Sequence, residues 1–245
     1  MKATTKLFAL ALVLAGTSVF SQTANEVAKA ENDLADGKTS SSSISITLID
    51  KSGKTRSREL VSYEMKDGNT DKTLMVFKTP KDVAGVGYLS FDYPDKPDGS
   101  PTDGDSWLYL PAMKKVRRVA GSNKDDDFQG TDFTYDDIGK RSLGKDNFAL
   151  LGDEKIGGKD YWILEPAAKD QRAKISRRVS WIDKETYVTL KREYYDRQNQ
   201  LLKTLSCENI QKISGYWTTQ KYTMKNVQTN HQTVMERISN RGGLA

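Results

Sequence analysis

The sequence has a single cysteine, Cys207, among 245 residues, so no disulfide can form within the chain. This cysteine lies in the alternating run 201–210, where a lone thiol is usually buried and unreactive. After the first twenty residues, no stretch approaches the roughly 18 apolar residues that a transmembrane helix needs. These absences exclude a disulfide scaffold and predict no membrane-spanning helix.

Residues that carry catalysis or bind metals are equally scarce. The one histidine, His231, lies among polar residues, and no G-x-S-x-G elbow is present to complete a Ser-His-Asp site. One histidine and one cysteine do not make a zinc site, and the acidic run Asp125–Asp127 lacks the spacing of a calcium loop. No phosphate-binding loop or dinucleotide fingerprint is present. We therefore predict no enzymatic activity, no metal and no cofactor.

The charge balance is only mildly one-sided. The chain has 38 lysines and arginines against 33 acidic residues, for a net charge of +5. Such an excess suits an anionic partner or an anionic membrane surface without requiring either. We predict no nucleic-acid partner.

The N-terminus has the pattern of an export signal. Lys2 and Lys6 precede the apolar stretch Leu7–Val19, which is too short for a comfortable membrane span. The small residue Ser21 is the predicted cleavage point, so residues 1–21 are predicted to be a signal peptide. No cysteine lies near this junction for lipid attachment, and we expect a mature protein that is free in solution in the periplasm. The alternative is an uncleaved anchor.

From residue 44 onward the apolar residues recur mostly at every second position, which is the period of a β-strand. Runs such as Ile44–Leu48 and Tyr216–Met224 alternate in this way, and turn sequences such as Ser214-Gly215 separate the runs. About eleven or twelve strands in meander order predict one antiparallel sheet that curls.

Three segments depart from this period. The segment Thr23–Asp36 predicts a short helix with Gly37 as its stop signal. Gly121–Leu143 carries no strand alternation, and Pro94–Gly104 is a second irregular insertion that predicts a mobile surface loop.

An antiparallel sheet with one solvated face must cover the other face. The available cover is the short helix and the segment Phe128–Leu143, which is less than the sheet needs. An apolar cavity left between them would suit an acyl chain, because each methylene removed from water contributes about 0.8 kcal/mol. The alternative, a fully packed core without a cavity, stays open.

The run Trp107–Arg118 places large apolar residues next to four cations. Trp107 and Tyr109 are candidate cavity residues, and Arg117 and Arg118 are candidates for binding an anionic head group, since guanidinium groups bind phosphate in a bidentate way. The alternative is a basic edge strand that discourages aggregation.

The segment Phe128–Ile138 predicts a short helix capped by Thr131 or Asp132. Its apolar side chains would point into the sheet as a lid over the ligand; the alternative is a plain structural cover. The candidate cavity and lid residues here are Phe128, Phe133, Tyr135 and Ile138.

The same residues carry a family resemblance. W-L-Y-L-P-A-M-K-K-V-R-R (Trp107–Arg118) and F-Q-G-T-D-F-T-Y-D-D-I (Phe128–Ile138) resemble the bacterial outer membrane lipoprotein-sorting protein family, in the LolA/LolB-like superfamily. F-K-T-P-K-D-V-A-G-V-G-Y-L (Phe77–Leu89) and W-I-D-K-E-T (Trp181–Thr186) match it too. One departure is Gln129-Gly130-Thr131, where family members usually carry a serine or Met-Gly-Ser.

The resemblance implies a mainly β fold: an unclosed barrel of about eleven strands around short lid helices, formed by residues 22–245. It also implies periplasmic carriage of lipid or lipoprotein acyl chains toward the outer membrane, with transient membrane contact, often beside an inner-membrane transporter of the resistance-nodulation-division (RND) type. The rival hypothesis is a non-enzymatic sensor or adaptor that binds a protein partner through the same face.

Overall fold

The structure is a computed structural model that describes residues 22–34 and 37–242. The predicted signal peptide, 1–21, lies outside the described residues. Within the described ranges, no helix is both long enough and apolar enough to cross a bilayer.

Thirteen strands and two short α-helices, α1 (Ala24–Asn32) and α2 (Tyr135–Ile138), make up the described part, with a few single 3-10 turns between them. The strands are β1 (Thr39–Ile49), β2 (Thr55–Asp67), β3 (Thr70–Thr79), β4 (Gly87–Asp92), β5 (Asp105–Leu110), β6 (Lys115–Arg118), β7 (Asp146–Ile156), β8 (Lys159–Ala168), β9 (Ile175–Asp183), β10 (Thr189–Asp196), β11 (Leu201–Ile213), β12 (Tyr216–Asn226) and β13 (His231–Gly242).

All thirteen strands form one antiparallel sheet in the order β6-β5-β4-β3-β2-β1-β13-β12-β11-β10-β9-β8-β7. Neighbours in the sheet are neighbours in sequence except where β1 pairs with β13, which joins the two halves of the chain. The two edge strands, β6 and β7, do not pair with each other, so the barrel is unclosed. The predicted single antiparallel, unclosed sheet is confirmed, with thirteen strands instead of about eleven.

One strand, β7, is absent from the sequence prediction. Its apolar residues Phe148–Leu151 are contiguous, and a register shift against β8 between Leu150 and Gly152 breaks the period of two. Most of its side chains are exposed because it is an edge strand. An exposed, bulged edge strand lacks the alternating pattern that reveals a half-buried strand.

The residues between β6 and β7, 119–145, form a connection that we call the plug. The sheet buries one face, here the core face, which carries Ile44, Ile46 and Leu48 of β1. Phe128 and Phe133 of the plug pack into the same core cluster. The plug therefore runs from one sheet edge to the other across the core face, covering part of it.

The helix α1 covers another part of the core face. Val27 and Ala28 are buried against Leu164 of β8 and Ile182 of β9. Its predicted extent was Thr23–Asp36; the helix observed is shorter, with Thr23 as its N-cap.

The cap of α1 yields a first prediction. The Glu26 N–H donates to the Thr23 hydroxyl at 3.3 Å, and the Glu26 carboxylate accepts from the Thr23 N–H at 2.7 Å. Thr23→Ala is expected to lower the free energy of unfolding by about 1 kcal/mol, because it removes one acceptor of this capping box. Urea unfolding measures the change. Thr23→Ser keeps the hydroxyl and should change stability little; equal losses for both variants would contradict a capping role.

Candidate functional site

The aromatic half of the plug is a fixed part of the core. The Phe128 ring is fully buried and lies with its centroid 5.4 Å from those of Tyr88 and Tyr135 and 6.0 Å from that of Phe77. The Gln129 amide donates to the Tyr135 hydroxyl at 3.0 Å, across the turn where the family pattern departs. Edge-to-face and stacked rings of this kind add to the stabilisation from burial alone.

The polar half of the plug is held by buried ionic contacts. Lys203 of β11 donates to the backbone carbonyl of Asp132 at 2.9 Å and to the Asp137 carboxylate at 2.8 Å. Burial alone would raise the pKa of Asp137, but the Lys203 ammonium outweighs burial and lowers that pKa to about 2. Asp137 also accepts from the N–H and the hydroxyl of Thr134, which is the observed cap of α2 instead of the predicted Thr131 or Asp132.

A second anchor ties the plug to β13. The Asp132 carboxylate accepts from the Thr233 hydroxyl at 2.7 Å and lies 2.7 Å from His231 Nδ1. His231, which lies among polar residues in the sequence, is thus half-buried with a carboxylate partner. Within the described ranges, no group of three or more His, Cys, Asp or Glu side chains is arranged to hold a metal ion.

A third anchor is Arg141, at the end of the plug. Its guanidinium donates to Asp136 at 2.5 Å and to both oxygens of Asp146, at 2.7 and 2.8 Å. Burial would lower the pKa of Arg141, but these two carboxylates raise it. Bidentate pairing of this kind fixes orientation as well as charge.

Between α1, the plug and the core face lies a cavity of about 620 Å³. Ligand cavities in proteins are commonly about 300–1,000 Å³ in volume. Its apolar lining includes Ile44, Met75, Phe133, Leu205, Cys207 and Met235. Its polar lining includes Glu31, Asp136, Asp146, Arg178, Arg192 and Arg237. We call the apolar set the apolar floor and the charged set the charged wall; the two sets adjoin where Ile44 pairs with Arg237 and Leu205 with Arg192.

The lone cysteine lies in that floor. Cys207 is buried on β11, and burial raises the pKa of its thiol to about 12. Because the thiolate is the reactive form, this thiol is unreactive near neutral pH.

The sequence-predicted site residues separate into three groups. Phe133 and Ile138 line the cavity. Phe128 and Tyr135 are buried in the core cluster and are not part of the cavity lining.

The third group, which begins with the candidate cavity residues Trp107 and Tyr109, lies outside the cavity lining. On β5 Ser106 and Leu108 face the core, so Trp107 and Tyr109, which alternate with them, point to the outer face. Trp107 packs on Phe91 there, with ring centroids 5.4 Å apart.

The predicted head-group residues are also on the surface. Arg117 and Arg118 belong to β6, every residue of which is exposed. Arg118 pairs with Asp105 on the outer face. Cations along an exposed edge strand agree with the alternative that was left open, a basic edge that discourages strand pairing.

The charged wall and the nearby buried Lys203 are not among the residues predicted from the sequence, although a signal for them exists. Lys203 shares a strand face with Leu205 and Cys207, and Arg178 shares one with Ser180 and Ile182. A cation at an otherwise core-facing position of a strand indicates a buried charge.

Comparisons with known proteins agree with the fold and give it a family. A family model described as "Uncharacterized protein" matches residues 69–240. No curated protein matches the chain. An outer membrane lipoprotein-sorting protein domain from Vibrio parahaemolyticus is 32% identical, with a TM-score of 0.81 over 90% of this chain and 93% of that one.

Two further solved structures are similar. A DUF1329 family protein from Desulfovibrio piger is 29% identical, with a TM-score of 0.79 over 92% of this chain and 96% of that one. A LolA superfamily protein from Nitrosomonas europaea is 17% identical, with a TM-score of 0.69 over the same shares, 92% and 96%. At 17% identity, the similarity to the Nitrosomonas europaea protein shows the fold alone, and this fold is LolA-like.

Proposed function

The chain belongs to the outer membrane lipoprotein-sorting protein family, and from this premise we propose that it is an exported periplasmic carrier. Its cargo would be a lipid, or the acyl chains of a lipoprotein, held in the cavity of about 620 Å³ and carried toward the outer membrane. The cavity is the single observation on which this proposal depends. The signal peptide proposed at 1–21 would deliver the chain to that compartment.

The apolar floor supports acyl-chain binding energetically. Each methylene that leaves water contributes about 0.8 kcal/mol, so one chain on Ile44, Leu205 and Met235 provides useful affinity. The charged side chains beside this floor, such as Arg192 next to Leu205, provide contacts for a hydrated or charged end of the cargo.

Exposed apolar side chains at the cavity rim support loading from a membrane or a donor protein. Tyr216 and Trp217, the first two residues of β12, are 38% and 37% exposed, and Met65 of β2 is 45% exposed. Aromatic rings of this kind favour a membrane–water interface. Transient membrane contact, and a donor such as an RND-type transporter, are parts of this proposal.

The test is to express the full chain in a Gram-negative host, purify it from the periplasm and examine it by native mass spectrometry. We expect co-purified lipid, and binding of a fluorescent fatty acid after delipidation. A protein without lipid that binds no fatty acid would contradict the carrier. Stoichiometric recovery of a protein partner without lipid would instead favour the sensor or adaptor.

A cavity-filling variant makes the test specific. Leu205→Trp adds a ring to the floor and is expected to weaken fatty-acid binding tenfold or more, at an overpacking cost of about 1–3 kcal/mol in stability. The matched control is Leu151→Trp, because Leu151 is 54% exposed on β7. The fatty-acid affinities of both folded variants are measured by fluorescence titration. Equal affinities of the two variants would mean that the ligand does not bind in this cavity.

A further inference from the structure

Among the described residues, two cations of the charged wall have a buried nitrogen without a hydrogen-bond partner, Arg178 at Nη1 and Arg237 at Nε. Arg237 is held by a hydrogen bond from its Nη1 to the Ser42 hydroxyl at 2.9 Å. Arg178 of β9 lines the cavity and is 4% exposed, and within the described part of the chain its Nη1 atom has no hydrogen-bond partner. The Asp146 carboxylate oxygen to which Nη1 is paired is 3.9 Å away, beyond hydrogen-bonding distance. That oxygen already accepts from Arg141 Nε at 2.7 Å.

The other groups around Arg178 are occupied as well. Asp137 is bound by Lys203, and Asp136 by Arg141. Arg192, the next cation of the wall, donates to the Ser180 hydroxyl at 2.7 Å and to Glu31 at 2.5 Å. Each neighbouring charge thus has a hydrogen-bonded partner, which Arg178 Nη1 lacks.

A buried donor without an acceptor is costly, and a buried guanidinium more so. Burial lowers the pKa of Arg178, and so does the nearby positive charge of Arg141. The carboxylates around Arg178 therefore do not fully offset the cost of burying its charge. The guanidinium carbon of Arg178 also lies over the Tyr194 ring, 5.9 Å from its centroid. An acceptor supplied from the cavity would complete this site.

We propose that the cavity selects acyl ligands with an anionic end, a carboxylate or a phosphate, whose oxygen accepts a hydrogen bond from Nη1 of Arg178. This inference rests on the proposed carrier function and names its ligand class. The acyl chain lies on the apolar floor, and the head group lies inside the cavity against β9. The exposed Arg117 and Arg118 are then not head-group residues.

The test compares ligands that differ only in the head group. Calorimetric titration of the delipidated full chain uses hexadecanoate, hexadecyl phosphate and hexadecanol, with acetate and inorganic phosphate as anions without a chain. We expect both anionic lipids to bind about 10- to 100-fold more tightly than the alcohol, the range for a hydrogen bond to a charged group. The anions without a chain should bind far more weakly, which separates a lipid head group from a free anion.

Variants then assign the effect to one residue. Arg178→Met should remove most of the preference for hexadecanoate over hexadecanol, whereas Arg117→Met, an exposed cation of β6, should retain it. If Arg178→Met does not fold, the inference is tested by whether the unmodified protein prefers the anionic lipids to hexadecanol.

The outcomes are distinct. Equal affinity for acid and alcohol, or a preference that survives Arg178→Met, would overturn the anionic-ligand inference and leave the carrier standing. Failure of all three lipids to bind would overturn the carrier itself.

Discussion

Replacing Lys203 with methionine is expected to lower the free energy of unfolding by about 3–5 kcal/mol, the range for breaking a buried ion pair from one side. The Lys203 and Asp137 side chains are only 4% and 9% exposed, so the change leaves a buried carboxylate with Arg178 as its remaining cation. It also frees the Asp132 carbonyl, which Lys203 binds at 2.9 Å. Urea unfolding followed by circular dichroism measures the loss.

The pH dependence of this loss has a defined sign. In the unmodified protein the pKa of Asp137 is lowered from 3.8 to about 2, so the stability that its ionised form contributes is complete above pH 3.8 and is lost as the pH falls toward 2. Without Lys203, less opposes the effect of burial, and the pKa of Asp137 is expected to rise. The destabilisation of Lys203→Met should therefore be largest at neutral pH and shrink under acidic conditions, where Asp137 takes up a proton.

A double variant supplies the control for this prediction. Lys203→Met combined with Asp137→Asn removes both charges, while the amide oxygen of the substituted side chain can still accept from Thr134, so much of the lost stability should return. A single variant within about 0.5 kcal/mol of the unmodified protein would contradict the plug's ionic attachment to β11.

The strands with alternating apolar residues were predictable from the sequence, whereas the face of the sheet on which the candidate site residues lie was not. Alternation over Ile44–Leu48 and turn chemistry at Ser214-Gly215 suffice for an antiparallel sheet, since both are local signals. The segment without alternation proved to be the plug, as its aromatic residues suggested. The face of Trp107 was not predictable, because a run of four large apolar residues, Trp107–Leu110, has no polar member to mark the outer side.

The sequence marks single buried cations, but it does not indicate that they meet. Arg178, Lys203 and Arg141 come from two strands and the plug, 25 to 62 residues apart, and meet only because the plug crosses the core face. No local sequence pattern predicts that the plug crosses the core face. Arg117 and Arg118, the head-group candidates that the sequence indicates, are adjacent in sequence but exposed on the edge strand.

Replacing Phe128 with alanine is expected to cost about 3–5 kcal/mol, the usual loss for a fully buried phenylalanine. The ring is 0% exposed and contacts Phe77, Tyr88 and Tyr135, so its removal leaves a void that three rigid rings fill poorly. Tyr109→Ala is the matched control: Tyr109 is 41% exposed on the outer face and should change stability by no more than about 0.5 kcal/mol.

Ligand binding separates this packing role from a role in the cavity. Phe128 is not part of the cavity lining, whereas Phe133, five residues later, is. The fraction of Phe128→Ala that remains folded should therefore bind hexadecanoate with nearly unchanged affinity, whereas Phe133→Ala should change that affinity because it alters a wall of the cavity. Equal stability losses for Phe128→Ala and Tyr109→Ala would mean that the plug is not packed into the core, since only a packed ring creates a void when it is removed.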